Sequence, residues 1–258
     1  MDRLGVDSNE AKLAFENLEP LADYEAAGAL QVVDGDSDKD NSTLKLADEL
    51  AAAYGDIGEE AEVIRAWPRQ EFDALADIVF DVTDSSYREV KTAIDKISYL
   101  QKAKLLSQQL KNSQLQRKFE YRLELLTDLG TLLKVREKDL ARDISWQTPT
   151  PRYGYDIPKI IEASGLAEEY SQIFDRSLEL YSLLDIKYPN IAPLALLCGH
   201  KCRWQLTISL NGIVELIESK DERLDLLGQK ILNTIKTYHP LVFEFLSSSL
   251  DKNRWLTD

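Results

Sequence analysis

The segment that most constrains the fold is residues 118–155, where a strand pattern is followed by a helix pattern and then by a polar loop. Its first part alternates between apolar and charged residues, with the apolar side chains at Phe119, Tyr121, Leu123 and Leu125. Asp128 and Gly130 interrupt this alternation, and leucines then recur at helical spacing, at Leu129, Leu132, Leu133 and Leu140. The segment therefore predicts a strand with one buried face, followed by a helix.

The Thr- and Pro-rich loop that ends this segment presents Arg152 and Tyr153. Other cationic and hydroxyl side chains precede them, at Arg136, Lys138, Arg142, Ser145, Thr148 and Thr150. Arginine forks and hydroxyl groups suit a nucleotide phosphate, so one interpretation of this loop is an anion site. The alternative is a solvated charged surface on which Ser and Thr cap the loop.

The charge balance limits the classes of ligand. The chain carries 45 acidic residues against 31 basic residues, for a formal net charge of -14. This balance argues against nucleic-acid binding, which needs clustered Lys and Arg, but a few local cations can still hold a small anion. No apolar run reaches membrane-spanning length, the N-terminus lacks a signal-peptide pattern, and two cysteines make no disulfide framework. We therefore expect a cytoplasmic protein that does not bind membranes.

The ends of the chain differ in composition from its middle. Residues 1–60 are predicted to be an acidic, partly disordered or helical N-terminal extension, and residues 247–258 a polar tail. Alternate aspartates in the extension resemble a calcium loop, at Asp34, Asp36, Asp38 and Asp40. Lys39 and Lys45 replace the Gly and Glu that such a loop requires, so a solvated acidic loop is the favoured interpretation.

The rest of the chain predicts few strands among long helices. Strands are expected at 62–67 and 205–210. In the second of these, apolar and polar residues alternate strictly, as in a strand with one buried face. Helices are expected around 72–80, 90–100, 166–181 and 224–238. Asp84 or Ser85 is a candidate N-cap of the second helix, and Asn211 is a candidate N-cap of a further helix. The fold class that follows is α/β or α+β.

Cys198, His200 and Cys202 form a C-x-H-x-C pattern. Thiolate and imidazole suit zinc, but the spacing matches no common zinc module, so we favour buried cysteines over a metal site. The chain has two histidines, and neither lies in a motif of nucleophilic catalysis. No Gly-rich phosphate loop is present.

Residues 119–158, FEYRLELLTDLGTLLKVREKDLARDISWQTPTPRYGYDIP, resemble the central segment of the flavin-dependent thymidylate synthases, and are most similar to the C-terminal half of their long tandem-domain form. The similarity extends over about 61–246 and includes HKCRWQLTISLNGIVELIES at 200–219. The family signature is Arg-His-Arg, seven residues, then Ser-x-Arg-Tyr. Residues 150–153 resemble its second part, with Thr150 in place of Ser. The first part falls on Leu140-Ala141-Arg142, where only the last Arg is kept.

Further positions match the family in part. Ser145 matches a serine inside the signature, and Asn211 matches the Asn of an Asn-x-Arg element whose Arg is replaced by Ile213. Lys220 stands where the family usually has an Arg that helps to bind dUMP, and Gln229 matches the Gln of a late Ala-Gln pair.

The resemblance implies a domain over 61–246 with a small mixed sheet flanked by long helices. It implies a homotetramer that binds FAD between subunits and methylates dUMP to dTMP with methylenetetrahydrofolate and NADPH. Arg142 and Asn211 would then contact FAD. The residues that would contact dUMP are Ser145, Thr150, Arg152, Lys220 and Gln229. Family members use no protein nucleophile, so no catalytic residue is assigned.

The degenerate signature leaves a second hypothesis, a catalytically silent paralogue that acts as an oligomeric or partner-binding module. Each charged hydrogen bond that is lost reduces the favourable free energy of ligand binding by about 1.5–3 kcal/mol. Two arginines are missing, at positions 140 and 213, and Lys134, Arg136 or Lys138 could compensate from one turn away. Both hypotheses stay open at the level of sequence.

Overall fold

The computed structural model describes residues 16–22 and 58–254. The predicted calcium-like loop lies outside these residues. The strands are β1 (Ala61–Trp67), β2 (Glu120–Asp128), β3 (Ala141–Trp146) and β4 (Lys201–Ser209). The helices are α1 (Asp73–Asp81), α2 (Tyr87–Lys96), α3 (Tyr99–Gln109), α4 (Ser113–Gln116), α5 (Leu129–Lys138), α6 (Lys159–Ala163), α7 (Ala167–Lys187), α8 (Leu210–Ile217), α9 (Glu222–Ile235) and α10 (Pro240–Arg254). Within the described residues, no helix is both long and apolar enough to cross a membrane.

The chain divides into two compact units. The first contains residues 126–137 and 146–204 together with the described part of 1–60. The second contains 61–125, 138–145 and the described residues from 205 onward. The expected boundaries of the N-terminal extension and of the polar tail stay predictions, and α10 continues to Arg254 within that tail.

The four strands form one sheet in the order β1-β2-β4-β3, most of which belongs to the second unit. β1 and β2 are antiparallel, with Val63 opposite Leu123 and Trp67 opposite Glu120. The alternation that predicted β2 and β4 is confirmed, because every second side chain is buried throughout β4 and in β2 as far as Leu125. The α+β fold class is therefore confirmed, with helices flanking a small sheet.

Several local predictions need correction. Ser86 caps α2 through a capping box with Glu89, instead of Asp84 or Ser85. The helical stripe expected over 90–100 is split, because α2 ends at Lys96 and α3 begins at Tyr99. Asn211 lies inside α8, whose N-cap is Ser209. Residues 141–146 are a strand rather than part of a loop, so Ser145 is a strand residue.

The second unit encloses a buried polar network. Nδ1 of His239 lies 2.7 Å from the Tyr121 hydroxyl oxygen, and Nε2 lies 2.8 Å from the carbonyl oxygen of Pro68. The imidazole therefore donates from Nε2 to Pro68 and accepts at Nδ1 from Tyr121. Burial lowers the pKa of His239 and raises the pKa of Tyr121 well above its usual value. At neutral pH these shifts favour the uncharged form of both side chains, whose hydrogen bond connects β2 to the start of α10.

The core of the first unit is aromatic. Tyr170 and Phe174 of α7 pack with Leu197, and Tyr155 stacks on Phe174 with ring centroids 3.8 Å apart. Asp128 begins α5 by accepting hydrogen bonds from the backbone and the side chain of Thr131. This core supports the loop that precedes Tyr155.

Candidate functional site

The loop at 147–155 is held against the first part of β4 by backbone hydrogen bonds. The amide of Gln147 donates to the carbonyl of Arg203 at 3.0 Å, and the amide of Lys201 donates to the carbonyl of Gly154 at 2.8 Å. Between these two points, Pro151–Tyr153 form a short 3-10 turn. Gly154 has a φ of 65°, a conformation that favours glycine, and ends the turn. The backbone of the turn is therefore fixed at both ends.

Tyr153 lies close to two guanidinium groups. The central guanidinium carbon of Arg152 is 5.7 Å from the centroid of the Tyr153 ring, and that of Arg203 is 5.5 Å from the same centroid. These distances are typical of cation–π contacts. The Tyr153 hydroxyl donates to Oε1 of Gln147 at 3.2 Å, which fixes the ring between the loop and β4.

Other cationic side chains of this unit contact an aromatic ring or a carboxylate. The Arg136 guanidinium lies over the Trp146 ring, 5.3 Å from its centroid. Nζ of Lys201 is 2.8 Å from a carboxylate oxygen of Asp156 and 3.8 Å from one of Glu60. Arg152 is exposed and forms no ion pair with any described residue. The first unit thus offers an exposed arginine beside an ordered tyrosine.

Two of the seven predicted site residues belong to this unit. Thr150 is half-buried and precedes the 3-10 turn as its N-cap residue, with extended backbone. Arg152 lies within the turn. The structure therefore brings these two residues together in one fixed loop, although it does not test their roles.

The other five predicted residues belong to the second unit, and three of them pair with acidic side chains. Arg142 donates to Glu120 at 2.7 Å, and this hydrogen bond raises the pKa of Arg142. The amide of Asn211 donates to Glu215, and that of Gln229 donates to Asp225 at 2.7 Å. Ser145 and Lys220 are exposed, on β3 and between α8 and α9.

The donors expected to hold FAD do not fit a flavin pyrophosphate. Arg142 and Asn211 each donate to a carboxylate of this chain, which places the negative charges of Glu120 and Glu215 where an anionic ligand would have to bind. Ile213, which stands in place of a family arginine, is fully buried in the apolar core. Leu140 and Ala141 carry no side-chain donor. We therefore derive no chemical step that involves flavin.

The C-x-H-x-C pattern forms part of the core. Cys198, His200 and Cys202 are all buried, as favoured from the sequence. Burial raises the pKa of the Cys202 thiol to about 12, so that sulfur is not a thiolate at neutral pH. Among the residues that the structure describes, no three His, Cys, Asp or Glu side chains are grouped as a metal site requires.

Sequence reasoning missed Arg203, Gln147 and Trp146. The partial exposure of Arg203 could have been predicted from the sequence. Alternation in β4 buries Cys202 and Trp204 and places the Arg203 side chain on the opposite face of the strand. Its proximity to Tyr153, 50 residues away, arises from strand pairing and could not be deduced from local pattern.

Comparison with known proteins identifies a fold but no family. No family model matches the chain, and no curated protein matches it. Its α+β fold, of the thymidylate synthase-like type, is found in solved structures.

One of these structures is the UMP/dUMP methylase PolB from Streptomyces cacaoi, bound with 5-Br dUMP. The TM-score is 0.57, and the likeness covers 73% of this chain and 94% of PolB. Sequence identity is 8%, so the likeness shows the fold alone.

Proposed function

We propose that this chain binds a pyrimidine nucleoside monophosphate of the dUMP class, with the phosphate at the Thr150–Tyr153 turn. The observation that carries this proposal is the exposed Arg152 guanidinium, held beside Tyr153 on a turn whose backbone is fixed. The shared fold with a methylase bound to 5-Br dUMP supports the same ligand class.

The turn supplies groups that recognise a phosphate. An arginine fork donates two parallel hydrogen bonds to phosphate oxygens, and a threonine hydroxyl adds a third. Arg152 needs no rearrangement of an ion pair to do this, because none of the described carboxylates is bonded to it. In a chain of net charge -14, such a local cation determines where an anion binds.

Reductive methylation of dUMP is the reaction that the sequence resemblance implies. The carboxylate-bound Arg142 and Asn211 argue against flavin binding in the manner of the family. We therefore propose nucleotide binding as the retained property, with the methylation activity reduced or lost.

Arg152→Ala is expected to weaken dUMP binding by roughly 10–100-fold, because a net loss of about one charged hydrogen bond, worth about 1.5–3 kcal/mol, corresponds to that change in affinity. Arg176→Ala is the matched control, since Arg176 is an exposed arginine on α7 of the same unit. The measurement is the dUMP concentration dependence of thermal stability, because a ligand of the native state raises it. FAD, tested in parallel, is expected to give no stabilisation. Equal dUMP affinity in the two variants contradicts the assignment of Arg152.

A second candidate function is a partner-binding or oligomer-forming module. The observation that favours it is an exposed apolar stripe on α7. Its side chains are Ile173, Leu180, Leu183 and Ile186, with Ile186 86% exposed. Apolar patches of this kind mark interaction surfaces. A wild-type chain that neither dUMP nor FAD stabilises would favour this candidate over nucleotide binding.

A further inference from the structure

We propose that residues 196–199 form a docking surface for an extended peptide, and that the chain's own residues 16–22, the strap, occupy this surface and hold the Thr150–Tyr153 turn in place. The strap, the docking surface and the turn all belong to the first unit. The effect of the strap on nucleotide affinity rests on the proposed nucleotide binding, whereas its effect on the turn can be measured without a nucleotide.

The strap pairs with the docking surface through its backbone. Pro20 and Leu197 form an antiparallel bridge. Backbone amides donate to backbone carbonyls around this bridge, from Leu21 to Leu196 at 3.0 Å, from Cys198 to Glu19 at 3.0 Å and from Gly199 to Asn17 at 2.8 Å. In peptide recognition by β-addition, main-chain hydrogen bonds of this kind supply affinity, and pockets for side chains supply specificity. The docking surface is therefore of the β-addition type.

Side-chain contacts fit the docking surface to this particular peptide. Leu21 is fully buried, and Leu18 packs against the aromatic core that contains Phe174. A Cβ atom at Gly199 would lie 2.8 Å from Cζ of Phe174 and 3.0 Å from the carbonyl oxygen of Asn17. A side chain at position 199 would therefore displace the strap or the ring, so the close approach of the strap depends on glycine.

The residues that follow the docking surface hold the turn. Tyr155 and His200 form a second antiparallel bridge. The amide of Lys201 donates to the carbonyl of Gly154 at 2.8 Å. The amide of His200 also donates to the Leu197 carbonyl at 3.0 Å, and its Nδ1 accepts from the Leu197 amide at 3.1 Å. The residue that pairs with the strap is thus bonded to the residue that pairs with the end of the turn.

A second connection between the strap and the turn runs through side chains. Tyr155 stacks on Phe174, and Leu18 packs against the same core. Undocking of the strap would remove Leu18 from this core, and it would take away the carbonyl groups to which the amides of Cys198 and Gly199 donate. The docked strap therefore favours the conformation of the turn that we propose binds the phosphate.

The test is hydrogen exchange, together with dUMP titration, on the full chain and its Leu21→Asp variant. A charge is costly at this fully buried position, so the substitution is expected to undock the strap. Exchange should then become faster at the amides of Cys198 and Gly199, and also at Lys201. The dUMP affinity should fall roughly 10-fold, the change expected if about one molecule in ten keeps the binding-competent turn. The control Ile186→Asp places the same charge on an 86% exposed side chain of the same unit and should change neither property.

A synthetic peptide with the sequence of residues 16–22, ENLEPLA, supplies the strap from outside the chain. Added in excess to the Leu21→Asp variant, it should restore both the slow exchange and the dUMP affinity. The control peptide carries aspartate in place of both leucines and should restore neither. Leu18→Ala is a milder variant that decides the question if Leu21→Asp does not fold, and it should show the same changes at smaller amplitude.

The outcomes separate this inference from the proposed function. Unchanged exchange at Cys198 and Gly199 in Leu21→Asp shows that the strap does not dock there and overturns the inference. Faster exchange at these two amides with unchanged exchange at Lys201 overturns the effect on the turn and leaves nucleotide binding in place. Failure of the peptide to restore slow exchange indicates a general loss of stability and also overturns the inference. A wild-type chain that does not bind dUMP rejects the proposed function, and exchange at Lys201 still decides the role of the strap.

Discussion

Acidification from neutral pH to about pH 4 is expected to lower the free energy of unfolding by roughly 3 kcal/mol through His200 alone. His200 is fully buried, and burial lowers its pKa from 6.5 to about 4. In the unfolded chain the same imidazole takes up a proton near its ordinary pKa. The unfolded state therefore binds more protons between these two values, so the stability present above pH 6.5 is lost as the pH falls toward 4.

Chemical denaturation at several pH values measures this effect, with His200→Asn as the matched variant. The Asn oxygen can replace Nδ1 of His200 as the acceptor of the Leu197 amide proton, a hydrogen bond of 3.1 Å. The variant should lose less stability on acidification than wild type. Because His239 is also buried with a lowered pKa, part of the wild-type pH dependence should persist in it. Identical pH dependence in the two proteins would show that folding does not lower the pKa of His200.

Phe174→Ala is expected to lower the free energy of unfolding by about 3–5 kcal/mol, the usual cost of removing a buried aromatic ring. Phe174 is fully buried, and its ring contacts Tyr155, Tyr170 and His200. Tyr155 follows the Thr150–Tyr153 turn by two residues, so the loss of its stacking partner should also loosen that turn. We expect weaker dUMP binding in addition to lower stability.

Phe174→Leu is the control for this prediction. It retains most of the buried apolar volume, so its cost in stability should be clearly smaller than that of Phe174→Ala. Denaturant unfolding gives the stabilities, and dUMP titration at a temperature where both variants are folded gives the affinities. If the Ala variant is destabilised but binds dUMP as tightly as wild type, Phe174 supports the core without positioning the turn.

The parts of the fold that could be predicted from the sequence are those with strong periodicity. β2 and β4 each bury one face, so alternation was sufficient to identify them. β3 was missed because it is the edge strand beside β4 and its side chains are half-buried or exposed without alternation. Its conformation depends on pairing with a neighbouring strand, which the local sequence does not encode.

The same distinction applies to the candidate site. Arg152 and Thr150 were predicted as site residues from the resemblance of residues 150–153 to the family signature, and the structure places them in one turn. The partner of Arg142 is Glu120, 22 residues earlier on another strand, so this ion pair could not be predicted from spacing. Glu215 follows Asn211 by four residues, about one helical turn. The contact between them could therefore be predicted once this segment was assigned as a helix.

The proposed function depends on the Thr150–Tyr153 turn, which we propose holds the phosphate of a pyrimidine nucleotide. A crystal structure of the protein with dUMP at saturating concentration tests it most directly. We predict density for the nucleotide with its phosphate oxygens within hydrogen-bond distance of the Arg152 guanidinium. A crystal structure that shows no bound nucleotide, or a nucleotide whose phosphate contacts other residues while Arg152 faces solvent, would contradict the claim.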